Sequence, residues 1–192
     1  IILKIRFNIM NIRILTPYIA FFVFCCGSSK TEAELAAEAK AYSNLKSMVT
    51  TKMLRFDADV AYPFQTNDVI TVTNALMAQT ENANGRFSLS ANEDFLEIKQ
   101  DSSKVHLSYF GELRNASYAD SRDTAIEFNN VVEDFDVLEN DKKKTITISF
   151  KVRNETEQFN VKMLLFPSGK ANVAVYGSNR TTIRYNGHIE DL

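Results

Sequence analysis

Residues 145–189 read TITISFKVRNETEQFNVKMLLFPSGKANVAVYGSNRTTIRYNGHI, in which apolar and polar side chains alternate over most of the stretch. A period of two places the apolar side chains on one face of a β-strand. Short segments rich in Asn, Ser, Pro and Gly interrupt the pattern at 154–155, 167–170 and 177–179 and predict turns. The sequence therefore predicts an antiparallel meander. Its inward rows are Ile146, Ile148, Phe150 and Val152; Phe159, Val161, Met163 and Leu165; Ala171, Val173 and Val175; and a returning strand follows over 183–189.

The same period of two appears upstream, from about residue 52. Further strands are predicted over 69–77, 87–89, 95–98 and 104–109, with turns over 81–85 and 140–143, whereas 126–138 is apolar but irregular. A sheet with one apolar face must close on itself or be covered. We therefore expect residues 51–192 to form one mainly β domain. Its first strand is predicted over 53–62, with Leu54, Phe56, Ala58 and Val60 inward.

A helix is predicted in front of the sheet, over residues 31–50. The segment Thr31-Glu32-Ala33-Glu34 fits a capping box, in which Thr31 and Glu34 bond each other's backbone N–H groups. The residues that follow are rich in Ala, Glu and Lys, and apolar side chains recur at spacings of three and four. We expect this stripe either to pack on the β-domain or to belong to a spacer. It consists of Leu35, Ala39, Tyr42, Leu45 and Val49.

Residues 1–25 have the layout of a signal peptide. Met10 is the expected start of the biological chain, because a short basic region ending at Arg13 and an apolar stretch over 14–24 follow it. This stretch is too short to span a bilayer, which needs roughly 20 apolar residues. Residues 23–26 read VFCC and resemble a bacterial lipobox, which implies that Cys26 is acylated and that 26–30 form the lipidated cysteine and its tether. The alternatives are a secretory peptide cut elsewhere and a buried pair of cysteines.

The composition is that of an ordinary globular protein. With 192 residues, 45% of them hydrophobic and 24% charged, the chain is neither disordered nor a polytopic membrane protein. The formal net charge is −2, and without the three basic residues of 1–25 it becomes −5, from 19 basic and 24 acidic residues. This acidic balance predicts no binding to nucleic acid. Cys25 and Cys26 are the only cysteines, so we expect core burial rather than a disulfide to hold the domain together.

The sequence contains no motif that indicates catalysis or a cofactor. Its two histidines, His106 and His188, cannot form a three-histidine metal site. It has no nucleophile elbow, P-loop or HExxH motif. Asp57 and Asp59 share a face of the first predicted strand, but paired acids on an exposed face are usually only solvated. We therefore expect no catalytic residue, no metal and no cofactor.

Aromatic residues offer two interpretations. The segment 109–111 could line the mouth of a barrel, and tyrosines around it could form a ligand rim with both apolar and hydrogen-bonding character. The favoured alternative is that these side chains pack the core and seal the end of the barrel. The candidate rim residues are Tyr62, Tyr109, Phe110, Tyr118 and Tyr185.

Two segments together resemble a known family. One is LSYFG over 107–111 with Tyr118 and Phe128, and the other is VYGSNR over 175–180 followed by Ile183, Tyr185, Gly187 and Ile189. They are similar to domain-of-unknown-function family 4251 of Bacteroidota lipoproteins, over residues 48–189. The resemblance implies an exported, lipid-anchored, antiparallel β-domain, for which we expect a lipocalin-like barrel or a sandwich, and it implies no activity. Ser108 and Glu112 depart from the family pattern, which usually has proline and a basic residue there.

We expect a non-catalytic protein of the cell envelope, anchored by lipid to the outer membrane on its periplasmic or surface face. Its β-domain is expected to bind a ligand, for which a small apolar molecule is one candidate. The alternatives are a structural module that docks on an envelope partner and, least favoured, a hydrolase of envelope glycans or peptides. The triplet Asp123-Thr124-Ala125 resembles an O-glycosylation site of exported Bacteroidota proteins, with Thr124 as the acceptor.

Overall fold

The computed structural model describes residues 31–64, 85–89, 93–114, 125–155 and 157–192. The chain divides into two compact units, residues 1–35 and 36–192, and the first contributes only 31–35 to the described residues. One helix precedes the strands in the described residues, as predicted. The elements are α1 (Glu32–Thr51), β1 (Met53–Pro63), β2 (Phe87–Ser88), β3 (Phe95–Lys99), β4 (Ser102–Ser108), β5 (Ala125–Val131), β6 (Glu133–Asn140), β7 (Thr145–Arg153), β8 (Gln158–Leu165), β9 (Lys170–Gly177) and β10 (Ile183–Asp191).

The strands of the second unit form one antiparallel sheet. Its order is β5-β4-β3-β1-β10-β9-β8-β7-β6, and β2 pairs with β1 beyond the end of β3. Most neighbours follow chain order, as in the predicted meander, but β1 and β10 join the two ends of the domain. The predicted rows of β7, β8 and β9 are confirmed, because every one of those side chains is at most 2% exposed. The predicted strand over 69–77 and most of the turn over 81–85 lie outside the described residues.

The sheet is nearly closed into a barrel, which confirms the predicted class. Its two outermost strands, β5 and β6, are separated by the single residue Val132. Strand β5 pairs with β4, and strand β6 pairs with β7. The continuous segment formed by β5, Val132 and β6 therefore connects the two edges of the sheet. Side-chain amides add to the closure: Asn130 donates to the carbonyl of Arg153 (2.7 Å), and Asn154 donates to that of Glu127 (3.4 Å).

The irregular pattern over 126–138 has a local cause. Asp134 adopts a left-handed backbone (φ 52°), and the register of β6 against β7 shifts between Glu133 and Asp136. A bulge of this kind places an extra residue in one strand and re-aims its side chains. Phe135 consequently packs against the core and stacks on Phe150, with ring centroids 6.2 Å apart. Most other side chains of β6 are exposed.

The predicted inward row of β1 is wrong at its end. Leu54, Phe56 and Ala58 are buried as expected, but a bulge between Ala58 and Val60 shifts the register against β10. Beyond the bulge, the alternate residues Ala61 and Pro63 are buried instead of Val60. As a result, the side chains of Val60 and Tyr62 face the outside of the sheet.

Helix α1 begins with the predicted capping box. The Thr31 N–H donates to Glu34 Oε2 (2.8 Å), and the Glu34 N–H donates to Thr31 Oγ1 (3.3 Å). Of the two alternatives for the apolar stripe, packing on the β-domain applies to one part of the helix only, because Leu35 and Ala39 are exposed. The buried part of the stripe is confined to the second half of the helix and consists of Tyr42, Leu45 and Val49.

Ion pairs place the second half of α1 across one end of the sheet. Lys46 Nζ lies 2.6 Å from Glu139 and 3.0 Å from Asp141, at the turn between β6 and β7. Lys52, directly after the helix, pairs with Asp101 (3.1 Å) at the turn between β3 and β4. The apolar side chains of α1 therefore cover core residues that would otherwise face water.

Buried side chains of the described residues lie in the interior of the barrel. Apart from Leu89, the largest fully buried ones come from seven strands, and they include Tyr185, Phe56, Phe159 and Met163. A barrel of about eight strands has an interior that side chains can fill. The concave surfaces described below lie on its outer face.

Candidate binding site

A buried ion pair closes the end of the barrel opposite to α1. Arg180 Nε donates to Glu157 Oε2 (2.8 Å), and both side chains are almost fully buried. The other carboxylate oxygen of Glu157 accepts the N–H of Asn179 (3.0 Å), and Arg180 Nη1 donates to the Ala125 carbonyl (3.3 Å). Because a buried ion pair is stable only when its remaining groups are hydrogen-bonded, these contacts make a closed structural network.

Tyr109 and Tyr185, two of the predicted rim residues, belong to this end. The Arg180 guanidinium lies over the Tyr109 ring, 4.7 Å from its centroid. The Tyr109 hydroxyl lies within 3.0 Å of the carbonyls of Glu112 and Thr181. Tyr185 is completely buried and donates to the Ser108 carbonyl (2.9 Å). Burial raises the pKa of both hydroxyls, well above the ordinary value for Tyr185, so both are neutral donors at physiological pH.

Two glycines of the segments LSYFG and VYGSNR make room for this network. A Cβ on Gly177 would collide with the carboxylate of Glu157 and the side chain of Arg180. A Cβ on Gly111 would collide with the hydroxyl of Tyr109. The motif positions therefore have a structural explanation in close packing at the barrel end.

The remaining predicted site residues are dispersed. Phe110 is 38% exposed at the same end of the barrel and stacks on Phe87, with ring centroids 4.4 Å apart. Tyr62 is half-buried on the outer face of β1. Tyr118, Thr124 and Cys26 lie outside the described residues. The ligand rim therefore stays a prediction, and among its described members Tyr62 lines a concave surface.

That surface is a groove of about 570 Å³ on the outer face of β1, β10, β9 and β8. Strand pairing arranges it in two rows. Tyr62, Arg184, Ala174 and Lys162 are successive register partners in one row, and Asn186, Asn172 and Leu164 are successive partners in the other. Because side chains alternate between the two faces of a strand, the polar members of both rows are exposed on the outer face. The small side chain of Ala174 lies between Arg184 and Lys162 and leaves a depression at the centre of the groove. We call this surface the outer groove.

The outer groove carries positive charge without a lining acid. Arg184 and Lys162 project from strands two apart in the sheet, roughly 10 Å from each other. Neither has an ionic partner within the described part of the chain. Asn172 and Asn186 face each other directly and supply amide donors and acceptors between the two rows.

A second groove shows the contrast. It measures about 250 Å³ and lies over β3, β4 and β5. Here Glu97 accepts from Arg55 Nη1 (2.8 Å) and pairs with Lys99 (3.4 Å), so the charges are already compensated. Lys104, a further lining residue, lies over the Phe95 ring. This groove therefore has less capacity to attract an anion than the outer groove.

The histidines and paired acids singled out in the sequence lie on the surface. His106 is 3.0 Å from Glu127, and His188 is 3.5 Å from Asp59. Asp57 pairs with Arg55 (2.8 Å). No group of three His, Cys, Asp or Glu side chains able to hold a metal ion occurs in the described ranges. Within these same ranges, no helix combines the length and the apolar character needed to cross a bilayer.

Sequence reasoning did not identify Arg184, Lys162, Asn172 and Asn186. Each occupies an ordinary outward position of a predicted strand, where polar residues are expected. The missing information was the pairing of β1 with β10 and the bulge that turns Tyr62 outward.

The nearly closed antiparallel sheet with a helix across one end defines a class of small β-domains, and comparison with known proteins identifies the family. The chain matches the model of the domain of unknown function DUF4251 over residues 36–189, and it belongs to that family. No curated protein matches the chain.

A solved relative has the same fold. The chain is similar to the crystal structure of a DUF4251 family protein from Bacteroides eggerthii DSM 20697, with a TM-score of 0.56 and 14% sequence identity. The match covers 81% of this chain and 91% of the other. At this identity the likeness concerns the fold alone.

Proposed function

We propose that this protein is a lipid-anchored protein of the cell envelope whose β-domain binds a ligand on its outer face without catalysing a reaction. The observation that carries the binding role is the outer groove, where Arg184 and Lys162 face solvent without a counter-charge in the described part of the chain. Unpaired cations in a concave surface raise the local concentration of anions. The inward side chains of the described strands are almost fully buried, which favours the outer face over an internal apolar site.

Lipid anchoring is supported by the sequence. Residues 14–24 form an apolar stretch of signal-peptide length, and Cys26 follows it with the polar tether 27–30. Several acyl chains on Cys26 would hold the domain at the outer membrane, on the periplasmic or the surface face. Membership of DUF4251 is compatible with this placement and assigns no activity.

The anchor is tested by metabolic labelling of the full chain with palmitate in a bacterium that processes lipoproteins. We expect label on the wild type and on Cys25→Ala, and none on Cys26→Ala. Globomycin should make the uncleaved precursor accumulate. An unlabelled wild type, or equal labelling of Cys26→Ala, would contradict the anchor.

The binding role is tested by thermal shift of the purified full chain with fractions of solubilised cell envelope. The matched control is Ala174→Phe, which fills the centre of the outer groove and leaves its charges in place. We expect at least one fraction to raise the melting temperature of the wild type and not of the control, since a ligand that binds only the folded state stabilises it. No stabilising fraction, or equal shifts of both proteins, would contradict the role.

A second candidate is a protein-interaction module. Strand β6 is an edge strand whose side chains are mostly exposed, and Val131 and Leu138 are 68% and 66% exposed on the segment that closes the barrel. Exposed edges of this kind can pair with a strand of another chain. The substitutions Val131→Lys and Leu138→Lys, which introduce a charge on this apolar surface, should abolish capture of an envelope partner if this candidate is correct.

A further inference from the structure

We infer that the outer groove binds an acidic glycan, a short chain of sugars that carry carboxylate, sulfate or phosphate groups. The inference rests on the proposed function and names the ligand class of the same site. It starts from the two rows of side chains across β1, β10, β9 and β8.

Charge determines the first property of the ligand. Arg184 and Lys162 stand on either side of Ala174, roughly 10 Å apart, with no acid among the lining residues. The nearest acid on β1 is Asp59 at the bulge, and it lies beside His188 rather than in the groove. A chain ligand with anionic groups on neighbouring units can contact both separated cations, whereas a single compact anion can contact only one of them.

The amides and the aromatic ring determine the second property. Asn172 and Asn186 are direct register partners, and each offers a donor and an acceptor, the combination that neighbouring sugar hydroxyls require. Tyr62 at one end of the first row offers an apolar ring with a polar hydroxyl. Cations, amides and a ring therefore lie together on one exposed surface.

The same geometry disfavours two other acidic chains. A peptide strand binds by adding to a sheet edge, but the outer groove lies on a sheet face whose backbone groups are already paired between β1, β10, β9 and β8. Nucleic acid is bound through many phosphate contacts, whereas the groove has two cations on a chain with a net charge of −2.

The test is isothermal titration of the full chain in detergent with defined probes. They are tetragalacturonate, a heparin-derived tetrasaccharide and phosphorylated maltotetraose as acidic glycans, the methyl ester of tetragalacturonate as the neutral counterpart, and tetraglutamate and a deoxythymidine tetramer as other acidic chains. We expect at least one acidic glycan to bind, to bind more weakly at high salt, and to exceed the affinity of the neutral methyl ester and of the other acidic chains. The acidic glycan that binds shows which acidic group the groove recognises.

Variants locate the site. Arg184→Gln with Lys162→Gln should weaken binding about tenfold or more, because each cation makes a charge-assisted contact. Lys104→Gln removes a matched cation from the other groove and should leave binding unchanged. Equal binding of the neutral ester, full binding by the double variant, or tighter binding of tetraglutamate or the deoxythymidine tetramer would overturn the inference.

Failure of the ligand class and failure of the binding role give different results. If no acidic glycan binds while an envelope fraction still stabilises the wild type and not Ala174→Phe, the ligand class is wrong and the binding role stands. If no acidic glycan binds and no envelope fraction stabilises the wild type, the ligand class and the binding role are both wrong. Palmitate labelling reports on the anchor independently of either result.

Discussion

Arg180 connects three parts of the chain through one side chain. Its guanidinium bonds Glu157 before β8 and the carbonyl of Ala125 at the start of β5, and it stacks on the rings of Tyr109 and Phe159. Stacking and planar hydrogen bonding suit arginine better than lysine. The VYGSNR motif is therefore explained by closure of the barrel end, in which Arg180 is the central residue.

The first prediction concerns this ion pair. Arg180→Met should lower the free energy of unfolding by about 3–5 kcal/mol, because it leaves the Glu157 carboxylate buried without its partner. Adding Glu157→Met should lower it by less than the sum of the single changes, since the uncompensated charge is then gone. Urea denaturation followed by circular dichroism measures all three variants. Additive losses would show that the two side chains do not act as a pair.

A second prediction concerns Tyr42 on α1. Its hydroxyl is buried and makes no hydrogen bond of good geometry among the described residues, and burial together with the nearby Asp141 carboxylate raises its pKa. Tyr42→Phe removes this hydroxyl and keeps the ring that Lys46 and Lys144 contact. The free energy of unfolding should therefore stay unchanged or rise by up to about 1 kcal/mol.

The matched control for Tyr42→Phe is Tyr185→Phe. The Tyr185 hydroxyl donates to the Ser108 carbonyl (2.9 Å), so its removal should cost about 1–3 kcal/mol. The same urea denaturation compares the two variants. A loss for Tyr42→Phe as large as that for Tyr185→Phe would contradict the absence of a partner.

At the scale of elements, β1 and β10 depend on a close approach of their backbones. Gly187 lies opposite Ala58 at the bulge, and a Cβ there would collide with the carbonyl oxygen of Asp57. Gly187→Ala should therefore lower the free energy of unfolding by about 1–3 kcal/mol, because the two strands must separate. The outward Asn186→Ala on the same strand should change it by no more than about 0.5 kcal/mol. A thermal melt in which the two variants behave alike would contradict this account of the bulge.

The outward ion pairs of β1 and β3 predict a pH dependence. Burial alone would raise the pKa of Glu97. The hydrogen bond from Arg55 and the proximity of Lys99 nevertheless hold this pKa below its ordinary value of 4.5. A lowered pKa in the folded state contributes stability above the unfolded pKa, and this stability is lost as the pH falls through the folded value. Glu97→Gln should therefore destabilise the protein at pH 7 and make its stability less dependent on pH below about 4.5. An unchanged acid profile of the melting temperature would contradict the role of Glu97.

The strands varied in how far the sequence predicted them. The rows of β7, β8 and β9 follow a strict period of two, and each of their predicted side chains is buried. The error falls at Val60, and the stretch 126–138 carries no regular pattern, because bulges at Ala58 and Asp134 break the period. Bulges depend on contacts with the neighbouring strand, so the period of a single strand does not reveal them.

At the scale of the whole molecule, the outer groove exists because the first and last strands are neighbours. Tyr62 comes from β1, and Arg184 comes from β10 at the other end of the domain. The polar positions of each strand were predictable as solvent-facing, but their arrangement in one groove required the strand order. The same limit applied to the rim residues, because Tyr109 is buried beside Arg180 and Tyr185 is buried with its hydroxyl bonded to the Ser108 carbonyl.

The most direct test of ligand binding on the outer face is an NMR titration of the isotope-labelled full chain with the acidic glycan that binds in calorimetry. We predict that the largest backbone amide shifts fall on Tyr62, Lys162, Ala174 and Arg184, with small shifts around Phe87 and Phe110. Shifts concentrated at the Phe110 end, along β6 or nowhere in the sheet would contradict the outer groove as the binding site.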